Sequence, residues 1–188
     1  MLRFPVSLTT VGLLLLAGCG DGGLRDKPTG PEWQPDPAQL SQLDAEREFL
    51  GGDASIRPPQ GYEFQEILLS DPAAAFVDEP NRIEILQVNG LGEDVTRQEF
   101  AEQIRRMHER VSDLEEIEVG ETEHGSVGGV AFSRFHYTGR NDEGSALRGV
   151  YLIARPVRPG PGWNVVAEGT EDVFPLLEAS VLTFRAEG

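Results

Sequence analysis

Few side chains in this sequence could carry covalent or acid–base chemistry, and they are scattered. Cys19 is the one thiol, so an intramolecular disulfide or a thiolate-rich metal site cannot form. His108, His124 and His136 are the only histidines, and no two stand four apart on a helix, the spacing that aims two imidazoles at one metal. They read as unconnected structural or surface groups. Glu115, Glu116, Glu118, Glu121 and Glu123 crowd one short run. Carboxylate oxygens suit a hard divalent cation. The run lacks the alternating Asp/Asn and turn glycine of a calcium loop, and it reads as a solvated edge strand whose charges discourage pairing with another chain. Ser126, Ser133 and Ser145 sit in no Gly-x-Ser-x-Gly elbow. Gly125–Gly129 precedes a strand pattern, so it reads as a turn and not as a phosphate cradle at a helix start. Arg134, Arg140, Arg148 and Arg155 could gather around an acidic ligand, but neighbouring carboxylates are the better partners. Acid, base and nucleophile form no set. The expectation is a protein that is not an enzyme, with no catalytic residue, no metal ligand and no cofactor.

Cys19 alone has a telling position. Arg3 gives the N-terminus a positive charge, and Val11 to Ala17 is apolar. This stretch is shorter than the about 20 residues that span a bilayer, and it has the form of a secretory signal peptide. Leu16-Ala17-Gly18-Cys19 resembles the bacterial lipobox. The resemblance implies signal cleavage between Gly18 and Cys19, a diacylglycerol on the Cys19 thiol, and acylation of the new N-terminus by a chain such as palmitate. Two chains suffice for stable membrane anchoring. Gly20, where some bacteria place a retaining Asp, leans towards the outer membrane, with the protein facing the periplasm.

The elements behind these residues divide the 188-residue chain into three parts. Residues 1–18 are the signal peptide. Residues 19–52 hold the lipidated Cys19, a Gly/Pro-rich tether through Pro35 and a possible short helix. Asp36, Pro37 and Gln39 have the types and order of a helix start, Leu40, Leu43 and Leu50 share a face, and Gly51-Gly52 can end it. Trp33, isolated in the tether, reads as an unpacked linker residue. Residues 53–188 are the folded domain. With 16 basic against 32 acidic residues the net charge is -16, which repels nucleic acid and anionic lipid.

Within the domain, alternating or apolar runs predict strands at 61–69, 75–77, 82–88, 117–119, 130–137, 147–155 and 163–167. Thr96 with Glu99 forms a capping box for a helix whose stripe is Phe100, Ile104, Met107 and Val111. His108 stands beside that stripe, and His124 falls in a Gly-flanked turn. Thr170 caps a last helix over 171–182, with Pro175 in its first turn. Short loops demand antiparallel neighbours. The fold class is α+β, a central antiparallel sheet of about six strands flanked by helices.

The Gly139-Arg140 hairpin, the Gly149-Val150-Tyr151-Leu152 strand and the closing Ser180-Val181-Leu182-Thr183-Phe184-Arg185 are similar to the PsbP-like superfamily over about 55–185. That family includes photosystem extrinsic subunits and Ran-binding nuclear proteins. The resemblance implies a PsbP-like sandwich, docking to protein partners and no catalytic residue set. The expected function is therefore a membrane-anchored envelope lipoprotein that docks an envelope protein partner as an accessory subunit. The alternative is a lipoprotein that binds a small ligand or a divalent cation.

Overall fold

The structure, a computed structural model, describes residues 30–67, 73–88, 97–154 and 162–186. The expected cleavage and lipid sites at Gly18 and Cys19 lie outside these residues, as do Thr96 and Arg155. In chain order the elements are α1 (Pro37–Leu40), β1 (Arg47–Phe49), a 3-10 turn (Leu50–Gly52), β2 (Ala54–Ile56), β3 (Glu63–Ile67), β4 (Ala73–Asp78) and β5 (Asn81–Val88). These are followed by α2 (Arg97–Val111), β6 (Glu115–Val119), β7 (Glu123–Val127), β8 (Val130–Arg140), β9 (Ala146–Ala154), β10 (Gly162–Thr170), α3 (Phe174–Val181) and β11 (Arg185–Ala186).

An eight-stranded antiparallel sheet runs β3-β4-β5-β10-β9-β8-β6, with β7 also pairing with β8. The strand count exceeds the expected six or so, because β7 carries Gly125 and ends at Gly128-Gly129 and so reads as a turn in sequence. A separate sheet β1-β2-β11 adds strands of two or three residues, too short to show a period. Long-range pairing of β10 with β5 on one side and β9 on the other closes the fold.

Register fixes what each face carries, because directly paired residues point the same way. One face holds the rows Phe64–Phe76–Ile83–Ala167–Val150 and Ala74–Ile85–Val165–Leu152. Against it pack α3 and the small sheet: Phe49 meets Phe76 at 6.4 Å and Phe184 meets Trp163 at 5.7 Å between ring centroids. The other face holds Val77–Arg82–Glu168–Gly149–Tyr137 and Ala75–Glu84–Val166–Tyr151–Phe135. Here α2 packs on β8, β9 and β6.

The buried side of α2 is Phe100, Ala101 and His108, with Ile104 partly covered. Met107, expected on the apolar stripe, is 46% exposed. The reason lies in the rings of β8 and β9: Phe135, Tyr137 and Tyr151 form a box that takes a flat imidazole more readily than a thioether. α3 keeps Pro175 in its first turn as expected, but its N-cap is Val173 and not Thr170.

Residues 30–52 belong to the packed unit. The helix read over 36–50 stops at Leu40, and 47–49 pairs with β2 instead. Leu43, Phe49 and Leu50 are buried. Arg57 clamps this stretch, donating to the carbonyls of Leu40 at 3.1 Å and Asp44 at 3.0 Å.

Candidate functional site

Among the described residues, two places bring chemistry-bearing side chains together. The first lies where residues 30–36 cross β7, β8 and α3. Trp33 is 8% exposed, which corrects its reading as an unpacked linker residue. Its amide donates to the Ser126 carbonyl at 2.8 Å, and the Ser126 amide donates to the Pro31 carbonyl at 3.0 Å. The Ser126 hydroxyl donates to the Glu32 carboxylate, which also accepts from the Gly129 amide; these hydrogen bonds hold Glu32 below the usual carboxylate range. The Trp33 ring lies flat on Gly125, where any Cβ would stand 2.6 Å from the indole. Its other side carries the Arg134 guanidinium, 4.2 Å from the ring centroid, a cation–π arrangement.

Arg134 also bridges Glu123 at 2.8 Å and Glu178 at 3.8 Å. His136 meets Glu178 at 2.8 Å, and that hydrogen bond, with the nearby Arg134 and Arg148 charges, keeps Glu178 below the ordinary carboxylate range. Beside these groups is a cleft of about 460 Å³ lined by Glu32, Trp33, Asp36, Arg134, Glu178 and Leu182. Its size falls in the range of small-ligand sites. Glu32, Arg134 and Glu178, however, are already engaged in the hydrogen bonds and ion pairs above, and Glu32 and Arg134 thereby hold residues 30–36 on the domain.

This predicts a measurable role for the indole. Trp33→Ala should lower stability by about 2 kcal/mol, below the figure for a core Trp because the ring packs against a guanidinium and not against apolar neighbours alone. Limited proteolysis should then cut within 30–36 while the rest of the domain stays intact. Unchanged protease resistance would show that the hydrogen bonds alone hold this segment.

The second place is the row on the α2 face. Glu168, 4% exposed, accepts from the Tyr137 hydroxyl at 2.8 Å and pairs with Arg82 at 3.2 Å. Burial beside the Glu168 charge pushes the Tyr137 phenol well above its usual value, and burial pushes Tyr151 up to about 12. His108 closes the group, 4.2 Å from Tyr137 and 4.9 Å from Tyr151 between ring centroids. Its Nε2 is buried without a hydrogen-bond partner among the described residues, and burial pushes the imidazole down to about 4. A neutral histidine, phenols that keep their protons and a paired carboxylate form a structural network. They offer no exposed nucleophile.

The remaining candidates are placed as follows. His124 lies on β7, not in a turn, with Nδ1 2.9 Å from the Ser133 hydroxyl. Arg140 pairs with Glu116 at 2.9 Å and Arg148 reaches Glu171 at 3.9 Å, while Arg134 and Arg148 share Glu178 as a neighbour, so each described arginine of this group is matched by carboxylates. Ser145 donates its amide to the Asn141 side chain at 2.8 Å. Glu115–Val119 forms the edge strand β6, and Glu121 and Glu123 follow it. Among the described residues, no group of three or more His, Cys, Asp or Glu is placed to hold a metal ion. Sequence reasoning missed Glu32, Glu168 and Glu178. An acidic residue inside an apolar strand, as in Val165 to Gly169, was the available signal for Glu168 alone.

No family model and no curated protein matches the chain. Solved structures are similar to it. Cyanobacterial PsbP from Synechocystis sp. PCC 6803 superposes with a TM-score of 0.56 at 11% identity, over 84% of this chain and 100% of that one. The Ran-binding protein Mog1p of Saccharomyces cerevisiae superposes with a TM-score of 0.51 at 13% identity, over 76% of this chain and 95% of that one. At these identities the likeness is one of architecture, and the architecture of this chain is PsbP-like.

Proposed function

We propose that this protein is a lipid-anchored subunit of a bacterial envelope that docks a partner protein and performs no catalysis. The observation that carries the reading is the use made of the reactive side chains. His136, Arg134, Glu178, Tyr137 and Glu168 are engaged in holding the fold together, while Leu86 and Met107 stand exposed. Exposed apolar side chains beside polar ones are what a docking surface needs. A structural neighbour that is a Ran-binding protein supports a partner-binding role on the same architecture. Anchoring rests on the Leu16-Ala17-Gly18-Cys19 motif, and an outer-membrane, periplasm-facing location rests on Gly20.

Cys19→Ser should abolish incorporation of labelled palmitate and leave an uncleaved precursor of higher mass. Labelled palmitate on the Ser variant would refute the anchor. Docking itself is tested separately, by photo-crosslinking from surface positions in native membranes. A chain that forms no adduct from any face would refute the docking role while leaving the anchor standing.

A further inference from the structure

We infer that the outer edge of β7 is a seat for an extended segment of the partner that carries a carboxylate residue directly before an aromatic one, and that Pro31–Trp33 fill this seat from within the chain until the partner replaces them; this rests on the docking reading above. One side of β7 pairs with β8 along its whole length. The other side takes residues 31–33 as a short parallel strand, bridged at Glu32 and Ser126. The Trp33 amide donates to the Ser126 carbonyl, and the Ser126 amide donates to the Pro31 carbonyl. A bound peptide adds itself to a sheet edge in the same way, with main-chain hydrogen bonds for attachment and side-chain pockets for choice.

The domain builds both pockets. In the turn after β7, Gly128 and Gly129 have φ of 59° and 79°. Successive amides in a turn make an anion-binding concavity. The Glu32 carboxylate sits there, accepting from the Gly129 amide and the Ser126 hydroxyl, with the Arg185 charge nearby. The aromatic slot has Gly125 as its floor, where a Cβ would collide with the indole, and the Arg134 guanidinium as its cover. Arg134 is held by Glu123 of β7 and Glu178 of α3, so the slot does not depend on its present occupant.

That occupant is weakly held. Pro31 and Pro35 have no amide N–H and cannot donate to the edge, and among the described residues the pairing is a single bridge. From Pro37 onward the chain has its own fastening: Leu43 is buried, and Arg57 donates to the carbonyls of Leu40 and Asp44. A partner strand with the same carboxylate–aromatic pair, and amides where the prolines stand, repeats the resident contacts and adds main-chain donors. Those added donors offset the advantage of a covalently linked occupant.

The test empties the seat with Glu32→Ala and Trp33→Ala in the full lipidated chain, and uses a fluorescein-labelled peptide matching residues 30–36 as the probe. Fluorescence anisotropy should show this peptide binding the emptied chain about tenfold more tightly than the parent, and a scrambled peptide binding neither. Adding Arg134→Ala should weaken that binding about fivefold. Should the double variant fail to fold, Glu32→Ala alone gives the same comparison, with a gain of about threefold. In native membranes, a photo-crosslinking benzoylphenylalanine at Glu121, just before β7, should give a partner adduct that rises about fivefold when the seat is emptied, while one at Asp142 stays constant. Mass mapping should place the Glu121 adduct beside a carboxylate residue followed by an aromatic one. No peptide binding to a folded, emptied chain would overturn the seat and leave docking intact. A Glu121 adduct that is unchanged or weaker on emptying would overturn the exchange, making residues 31–33 a structural strap only. An adduct of twice the chain mass would overturn the occupant, naming a second copy instead. No adduct at either position in either chain would overturn docking itself.

Discussion

Gly149→Ala is expected to destabilise the protein by about 3–5 kcal/mol, combining overpacking with loss of a buried hydrogen bond. Gly149 pairs with Glu168 on one side and Tyr137 on the other, in the middle of the widest part of the sheet. The Tyr137 ring lies across it: a Cβ there would stand 2.1 Å from Cζ and 2.3 Å from the hydroxyl oxygen. Real carbon atoms do not approach so closely, so the ring must move. Tyr137 is 3% exposed and its hydroxyl is fixed to Glu168, so moving it strips a buried carboxylate of a donor. The melting temperature should fall on the order of 10 °C, at 2–4 °C per kcal/mol for a chain of this length. A double-mutant cycle isolates the cause. Tyr137→Leu removes the ring, and Gly149→Ala should cost far less in that background. An equal cost in both backgrounds would place the strain elsewhere.

His108→Leu is the second large effect, and it depends on pH. The imidazole is 9% exposed among Phe135, Tyr137 and Tyr151, and burial lowers its folded value to about 4 from an ordinary 6.5. Between these values the unfolded chain takes up a proton that the folded chain refuses. Stability therefore falls as pH drops below 6.5, by about 2 kcal/mol at pH 5 and about 3 kcal/mol near pH 4, and the loss levels off below that. Leucine has similar volume, takes up no proton and leaves no unpartnered nitrogen. Urea melts from pH 7 to 4 should show the parent sagging and His108→Leu holding nearly flat down to about pH 4.5. Glu32 and Glu178, whose carboxyls are held below 4.5, lose their contribution only as pH falls below that figure. They remain in both proteins and mark a separate, lower transition. Parallel curves for parent and variant above pH 4.5 would mean the imidazole is charged in the fold.

The strands with alternating or apolar runs were legible: β3, β5, β8 and β9 follow their patterns, and β9 is central as its unbroken Val150-Tyr151-Leu152-Ile153 suggests. The helix over 97–111 was legible too, but its buried face was read one position off. Periodicity counts His108 as polar and Met107 as core, and only the aromatic rings of β8 and β9 reverse the two. Trp33 and Phe49 were lost for another reason. Trp33 belongs to a stretch held by long-range hydrogen bonds, such as its own to Ser126, and local composition carries no trace of a partner ninety residues away; Phe49 stands on a three-residue strand paired with β2, too short to show a period. The Glu168–Tyr137–Arg82 network was invisible on the same ground, since it requires the register of four strands. No spacing along the chain encodes that β10 lies between β5 and β9.

The seating of Trp33 has a consequence for geometry at the membrane. Ten residues separate Cys19 from Gly30, and even at full extension they reach only about 40 Å. With Cys19 acylated as proposed, the molecule hangs from one corner, beside the turn between β7 and β8, and not from a free end near Asp53. That corner belongs to the α3 side, because Arg134 and Glu178 both reach it. β3, β4 and β5 lie at the other lateral end of the sheet. Attachment beside the β7–β8 turn would keep that corner of the domain within about 40 Å of the lipid, with β3 at the opposite end of the sheet.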